Sequence, residues 1–470
     1  MKQSFTAFEY HADARFYPAE YRYEGSERSG WVIFRNGQHY LTLPPGYLLL
    51  KTLCCGICST DIARHNLPFP LPQITGHEVV ALHDGINVVV DINAAHKHTG
   101  DEFHCEYCSA NLENHCPDRL TLGIDRLPGG FSPYLLVPKK AIVRLPDNID
   151  MRLASIIEPF AAALHAVNVE TIQAGDSVGI VGPRRLGSLL ILALSLWRKK
   201  TSIDFKIIAI TRSEQVRTLC ELAGADEIVD ASNVQSLACD VVFDTSGSTS
   251  GFELSLQVAK RVVHVKSTNG LEVFGFQHLT EMVINEFSLL SLQLSSSDAD
   301  DSEITSLFKA VDHPRILVDD SFSEKELNAL RKKFPDVIEV VQLRKCIGKV
   351  GRELNQRFDA AIGLSVSFLN AATEINNGHS YLKPKGILFL VSGEPNSPLL
   401  SALNKGVTIH TSRCGNFLEA INMFQGNENE IEPFLNVFVS ATYSADILPE
   451  AFEKARSDKS SIKVLIKHGL

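Results

Sequence analysis

The sequence predicts an α/β chain: a β-rich first part, then a doubly wound parallel sheet whose strand and helix rhythm begins a second time. Up to about residue 165, apolar residues fall in short runs (31–34, 47–53, 87–92, 134–138) broken by Gly, Pro, Asn and Asp. From about 166 the pattern becomes strand 178–181, helix 186–197, strand 207–210, helix 214–223 and strands 240–243 and 262–266. Alternating strands and helices are the signature of a parallel sheet covered on both faces.

The rhythm then restarts. A polar, acidic stretch, 295–303 (SSSDADDSE), reads as a linker or exposed turn. Beyond it come strand 315–319, helix 323–334, strands 338–343 and 359–364, a helix and strand 387–391. FKIIAITRSEQVRTLCELAGADEIVD pairs loosely with PRILVDDSFSEKELNALRKKFPDVIEVV, and ACDVVFDTSGS with RFDAAIGLSVS. We read 294–410 as a divergent partial repeat inserted after a first α/β unit, 166–293, with 411–470 returning to complete the unit begun by 1–165.

Composition narrows the partners. The 470 residues carry 45 Lys+Arg against 55 Asp+Glu, a net charge of −10, so no positive field draws nucleic acid or an anionic membrane. The first residues, MKQSFTAFEYHADARF, hold no apolar secretory core, and the longest apolar run, 186–197, is short of the ~18 residues of a membrane span. The expectation is a cytoplasmic protein with a small-molecule partner, assembled as a homo-oligomer. Ten cysteines are few for a disulfide scaffold, yet Cys54, Cys55, Cys58, Cys105, Cys108 and Cys116 crowd into the first quarter. In a reducing compartment that clustering points to metal or catalysis, with Cys54 and Cys55 read as strand packing.

Three fragments name the chemistry: Gly56-Ile57-Cys58-Ser59-Thr60-Asp61, Gly76-His77-Glu78 and Ile157-Glu158-Pro159. Thiolate, imidazole and carboxylate are the ligand types of a catalytic zinc, which keeps one position open. Each fragment alone is weak; their order is not. LPPGYLLLKTLCCGICSTD, TGHEVV, the cysteine lobe, PGGFSPYLLVP and IIEPFAAALHAV occur here in the order of the zinc-containing medium-chain dehydrogenase/reductase family, and the sequence resembles its sorbitol dehydrogenase-like polyol branch. The resemblance runs over about 40–290 and again over about 407–470. It implies a GroES-like β-barrel catalytic domain and a Rossmann sheet, here with an inserted partial Rossmann-like repeat.

By the same resemblance Cys58, His77 and Glu158 are catalytic zinc ligands and Glu78 is an exchangeable carboxylate beside them. Asp61 orients the imidazole, and Thr60 bonds the substrate hydroxyl and passes its proton outward. Where relatives place a relay histidine this chain has Ala63, so His65 is the nearest candidate for that role. The chain is also shorter than usual between Val80 and Val88. Glu102, Cys105, Cys108 and Cys116 resemble the family's structural zinc lobe with its first cysteine replaced. Asp101, His104 and His115 are alternative fourth ligands, and a metal-free loop held by packing is the competing reading.

Between strand 178–181 and helix 186–197 lies Gly182-Pro183-Arg184-Arg185-Leu186-Gly187, which aligns with the dinucleotide fingerprint G-x-G-x-x-G. Gly182 and Gly187 keep the first and third glycines. Arg184 fills the middle one and either weakens pyrophosphate binding or reaches phosphate itself. At the end of the next strand stand Thr211 and Arg212 rather than an acid, which favours NADP over NAD. Lys266, Ser267 and Thr268, with Arg413 of Ser412-Arg413-Cys414-Gly415, are expected to line the nicotinamide and phosphate side. In the repeat, Asp319 and Asp320 occupy a strand end, but no glycine turn precedes them, so no second cofactor site is expected. The resulting function is zinc-dependent hydride transfer between a nicotinamide and a polyol, sugar or similar alcohol. The alternative is a sensor-like relative that binds zinc or nucleotide without turnover.

Overall fold

The computed structural model describes residues 1–469 except 102–103, 268–271, 274, 278, 295–313, 335–336, 338, 375–378 and 392–396. The acidic stretch 295–303, Glu102, Thr268 and Ile338 therefore lie outside the described residues.

The first 43 residues form an antiparallel sheet, β1 (Lys2–Tyr10), β2 (Phe16–Ser26), β3 (Gly30–Arg35) and β4 (Gln38–Leu43), each paired to the next. Alternation of buried and exposed residues along β2 puts Ala19, Tyr21 and Tyr23 inward, against the second sheet. Trp31 donates from Nε1 to the Tyr47 carbonyl at 2.9 Å, fastening this sheet to the barrel behind it.

That barrel is built from β5 (Tyr47–Gly56), β6 (Glu78–His83), β7 (Ile86–Val90), β10 (Tyr134–Pro138) and β11 (Ile142–Arg144), with the short pair β8 (Asn93–Ala94) and β9 (Leu120–Thr121) at its side. Cys54 and Cys55 are buried in β5, as strand packing requires.

The third sheet has eleven strands. Its first half contains β12 (Ser177–Val181), β13 (Lys206–Ile210), β14 (Glu227–Val229), β15 (Cys239–Asp244) and β16 (Ala259–Val265). Its second half contains β17 (Ser288–Leu292), β18 (Arg315–Val318), β19 (Glu339–Gln342), β20 (Phe358–Gly363) and β21 (Leu382–Val391), and β22 (Thr408–Thr411) returns to the first. The order is β14-β13-β12-β15-β16-β22-β17-β21-β20-β18-β19. Every neighbouring pair is parallel except β22 with β17, which meet antiparallel at Leu289 and Ile409. The near-continuous apolar runs of β12 and β13 suit strands covered on both faces.

The two halves share one plan. In space β13-β12-β15-β16 corresponds to β19-β18-β20-β21, the same order of first, second and later strands. The closing helix and strand of each set have changed sides. After β16 the chain runs through the helix Leu279–Asn285 into β17, which pairs with β21; after β21 it runs through the helix Pro398–Asn404 into β22, which pairs with β16. The final helix and strand of the two halves are thus exchanged. The exchange is cemented by the Asn370 side-chain amide donating to the Gly275 carbonyl (2.6 Å) and by the Thr411 hydroxyl facing the Met282 and Phe287 carbonyls (3.0 and 2.8 Å). A boundary at 294 therefore cuts across this plan: β17 lies before it yet belongs to the distal half, and β22 lies within 294–410 yet completes the proximal half. Strand rhythm reports order along the chain and cannot report which half a strand joins.

The helix Leu186–Thr201 is apolar almost all round because it is sandwiched between β12 and the helix Ile157–Val169, and it ends where Ser202 turns left-handed (φ 59°) beside Arg198, Lys199 and Lys200. Strands β23 (Val439–Ser444) and β24 (Lys463–Lys467) close the barrel by pairing β24 with β5. Among the described residues no helix is long and apolar enough to cross a membrane.

Candidate active site

The barrel, the parallel sheet and the returning C-terminal strands meet at a cavity of about 680 Å³. Cys58 precedes a single helical turn, Ser59–Ile62, which presents Thr60 to the cavity and buries Asp61. The Asp61 carboxylate accepts from the backbone N–H of Cys58 (2.9 Å) and of Gly76 (3.1 Å) and lies 3.5 Å from His77 Nδ1. One carboxylate therefore ties together the two loops that carry Cys58 and His77, the work expected of a group that orients a ligand imidazole. Burial opposes charge on the His77 ring, but Asp61 and the neighbouring Cys58 raise its pKa well above the ordinary value.

Glu158, on the first turn of the helix Ile157–Val169, lines the same cavity. Burial pushes its carboxyl up to about 7. His77 Nδ1 is buried with no hydrogen-bond partner in good geometry. Thiol, imidazole and carboxyl with spare donor capacity around one cavity fit Zn²⁺ in chemical type. Glu78 does not share that freedom: the ammonium of Lys463, in β24, sits 2.5 and 2.7 Å from its two carboxylate oxygens, both partners buried. His65 is turned away as well. It bonds the Tyr10 hydroxyl (3.2 Å) and is not among the cavity-lining residues, because the one-turn helix ends at Ile62 and a 3₁₀ turn then carries the chain off.

In the cysteine lobe, where Glu102 lies outside the described residues, His96 stands as a fourth donor beside the three cysteines. Donor atoms of His96, Cys105, Cys108 and Cys116 all lie within 4.8 Å of one another, with Cys116 Sγ 3.3 Å from His96 Nδ1 and 3.7 Å from Cys105 Sγ. Three sulfurs and an imidazole suit Zn²⁺. The alternatives read from sequence are engaged elsewhere: His104 pairs with Asp101 (2.5 Å) and His115 with Glu286 (3.0 Å). Burial raises the Cys116 thiol to about 12, so metal entry must displace protons. The lobe docks on the distal half. Glu106 accepts from the Leu354 N–H (2.6 Å), Tyr107 bonds Arg357 (2.7 Å) and the Arg352 carbonyl, and Arg352 pairs with Asp118 (2.7 Å).

On the sheet side the turn from β12 into the helix Leu186–Thr201 requires its glycines. Gly182 has φ +77°, and a Cβ there would lie 2.7 Å from the Ser246 backbone; a Cβ on Gly187 would lie 2.4 Å from Thr245 Oγ1. Leu186, Thr211 and Ser267 join the cavity lining, whereas Arg212 is exposed at the strand end. Arg184 and Arg185 are committed to protein. Arg184 donates to the carbonyls of Asp458 (3.2 Å) and Ser461 (2.9 Å), and Arg185 to those of Ile462 and Ala455 (2.7 Å each). Instead of reaching phosphate, the two guanidiniums bind the turn to the C-terminal segment that carries Lys463.

A buried polar line leads from this cavity. Lys266 donates to Ser412 Oγ (2.9 Å) and to the Arg413 carbonyl (2.6 Å); Ser412 meets His264 Nε2 (2.9 Å); His264 Nδ1 meets Glu170 (2.6 Å), which also takes the half-exposed His410 (2.9 Å). Burial pushes Lys266 down to about 8. The Glu170 carboxyl is opposed by burial but held down to about 2 by its two histidines. Lys463 and this line escaped the sequence reading because each joins residues far apart in the chain. His96 escaped it too, although it had a local signal, an imidazole just upstream of the cysteine run.

A barrel with metal-type donors, joined to a parallel sheet with a glycine turn over one cleft, defines the class of two-domain dehydrogenase folds. Residues 44–147 match the alcohol dehydrogenase GroES-like domain. L-threonine 3-dehydrogenase of Mesorhizobium japonicum is 27% identical over 228 residues, 46% of this chain and 63% of that protein. The enzyme of the same name from Aeromonas hydrophila subsp. hydrophila is 30% identical over 224 residues, 45% of this chain and 62% of that protein. The chain thus spans less than two thirds of the length of these relatives. Among solved structures, L-idonate 5-dehydrogenase from Escherichia coli K-12 covers 99% of both chains with a TM-score of 0.52 at 18% identity. A putative zinc-binding dehydrogenase from Sinorhizobium meliloti 1021, bound to NADP, covers 98% of this chain and 99% of its own with a TM-score of 0.52 at 17% identity. At such identity the likeness shows the fold. The likeness to alcohol dehydrogenases thus holds for residues 44–147 as a GroES-like domain and for the whole chain as a fold.

Proposed function

We propose that the protein is a zinc-dependent oxidoreductase that transfers hydride between a nicotinamide cofactor and the secondary alcohol or ketone of a polyol, sugar or similar hydroxylated small molecule. The observation that carries this reading is that Cys58, His77, Glu158 and the turn residues Gly182 to Leu186 line one cavity. Zn²⁺ held by Cys58, His77 and Glu158 would supply Lewis acidity to a substrate oxygen, and the nicotinamide would accept or return hydride. The chain's own residues do the rest. Asp61 fixes the two ligand loops, Thr60 is placed to bond the reacting hydroxyl, and Lys463 neutralises Glu78 so that a second carboxylate does not crowd the donors.

NADP is the preferred cofactor in this reading, since Thr211 lines the cavity and Arg212 follows it where an acid would select NAD. The lobe of His96, Cys105, Cys108 and Cys116 holds a second, structural zinc. Purified zinc-replete protein should oxidise NADPH faster than NADH with one or more ketoses from a broad panel. No turnover with either nucleotide across alcohols and carbonyls, despite nucleotide binding, would establish the sensor-like alternative. That alternative draws support from Arg184 and Arg185, whose ties to the C-terminal segment leave the middle fingerprint position without a small side chain.

A further inference from the structure

Four arginines in the cavity wall form no ion pair with a carboxylate among the described residues; Arg184 and Arg185 are held by carbonyls of the C-terminal segment beside the glycine turn, and the other two are Arg119 and Arg413. Arg119 follows the cysteine lobe and belongs to the barrel side of the wall with Leu67, Phe69, Ile92 and Ile124. Its Nη1 meets the Cys116 carbonyl at 3.3 Å, and its Nε is buried without a partner. Arg413, after β22, spends its guanidinium on the carbonyls of Asn114 (3.1 Å) and Ile284 (3.4 Å). Among the described residues neither guanidinium forms an ion pair with a carboxylate. Of the two acids in the wall, Glu78 is taken by Lys463, and Glu158 belongs to the proposed metal donors.

Arg119 is thus a half-buried cation, its Nε wholly buried, placed without an anionic partner among the described residues. Keeping such a group is costly unless an anion from outside repays the desolvation. The guanidinium fork matches the two oxygens of a carboxylate or phosphate better than it matches a hydroxyl. The cofactor's pyrophosphate belongs at the glycine turn on the sheet side, leaving the barrel-side arginine for the other reactant.

We infer that the substrate carries an anionic oxyacid group, a carboxylate or a phosphate ester, and that Arg119 binds it, with Arg413 beside it. This rests on the reading of the cavity as a hydride-transfer site and narrows its substrate from polyols in general to acidic ones.

The test is calorimetric binding of gluconate, glucitol 6-phosphate and glucitol to full-length, zinc-replete protein saturated with NADPH, for wild type, Arg119→Met and Arg119→Lys. In the wild type at least one anionic probe should bind at least about tenfold more tightly than glucitol, a margin charge-assisted hydrogen bonds supply. Gluconate against the phosphate ester tells which oxyacid is preferred. Arg119→Met should lose the preference, Arg119→Lys should keep part of it, and NADPH affinity should stay within about twofold in both, which also certifies that the variants fold. Equal binding of glucitol and the anions, a preference that survives Arg119→Met, no binding of any probe, or a parallel loss of NADPH affinity would each overturn the inference. Should the anions bind as expected while no alcohol or ketone is turned over, the anion site stands and the hydride-transfer reading falls.

Discussion

The proximal and distal halves of the eleven-stranded sheet share a strand order but not a chemistry. At the end of β12 the chain makes a left-handed glycine turn into a long buried helix and opens onto the cavity. At the end of β18 it meets Asp319, whose carboxylate accepts from the Ser321 N–H and hydroxyl (3.0 and 2.7 Å), and Asp320, which accepts from the Arg344 N–H (3.0 Å). The distal acids are spent within their own half, Asp319 on its own turn and Asp320 on the backbone that follows β19. The next distal helix, Glu324–Lys333, is started by Ser323 and Glu326 in a reciprocal cap instead of by a glycine turn. Strand order carries the architecture, whereas the loop at one strand end carries the function.

The largest expected effect breaks the proximal half alone. Glu170→Gln removes the charge that holds His264 and His410, and a carboxyl held at about 2 against 4.5 in an open chain makes the loss about 3 kcal/mol at pH 7. Because the folded value is the lower one, this stability is fully present above about pH 4.5 and fades as pH falls toward 2. Denaturant melts of the two proteins should therefore differ at neutral pH and converge in acid.

Next comes the turn itself. Gly187→Ala puts a Cβ 2.4 Å from Thr245 Oγ1, so the turn must shift; about 1–3 kcal/mol of overpacking should appear as a nicotinamide affinity lowered about 10- to 100-fold in a fluorescence titration. Asp319→Asn in the distal half should leave that affinity unchanged. If both variants weaken binding alike, the contrast between the halves is wrong.

A smaller effect joins the halves to the lobe. Leu354 is partly buried against Cys105, Tyr107, Cys108 and Cys116, so Leu354→Ala should cost about 1–2 kcal/mol. Chelating the zinc proposed for the lobe should raise hydrogen exchange at 352–357, where Arg352, Leu354 and Arg357 contact lobe residues. Smallest of all, Arg212→Ala should reduce the NADPH to NADH preference by about tenfold, one charge-assisted contact's worth, without changing stability.

Much of this architecture was legible in the sequence, and the limits are physical. Apolar runs and Gly182 and Gly187 located β12, its helix and the turn, because periodicity and backbone freedom are local properties. Cys58, Thr60, His77 and Glu158 were readable as a set only through their order, and they do line one cavity. The hidden features depend on contacts across the fold. The Lys463 ion pair spans 385 residues from Glu78, and Arg184 and Arg185 find carbonyls some 270 residues away. His65 was the nearest imidazole in sequence, but the turn after Ile62 takes it to Tyr10. The exchange of β17 and β22 left no local mark, since each still follows a helix.

Hydride transfer at the Cys58, His77 and Glu158 donors is tested most directly by single-turnover nucleotide oxidation with wild type, Cys58→Ala and Glu158→Ala, each first shown to bind NADPH. Both variants should keep nucleotide binding and lose hydride transfer by more than about 100-fold, as removal of a metal donor demands. Wild-type transfer rates in either variant would contradict the metal-centred role of that cavity.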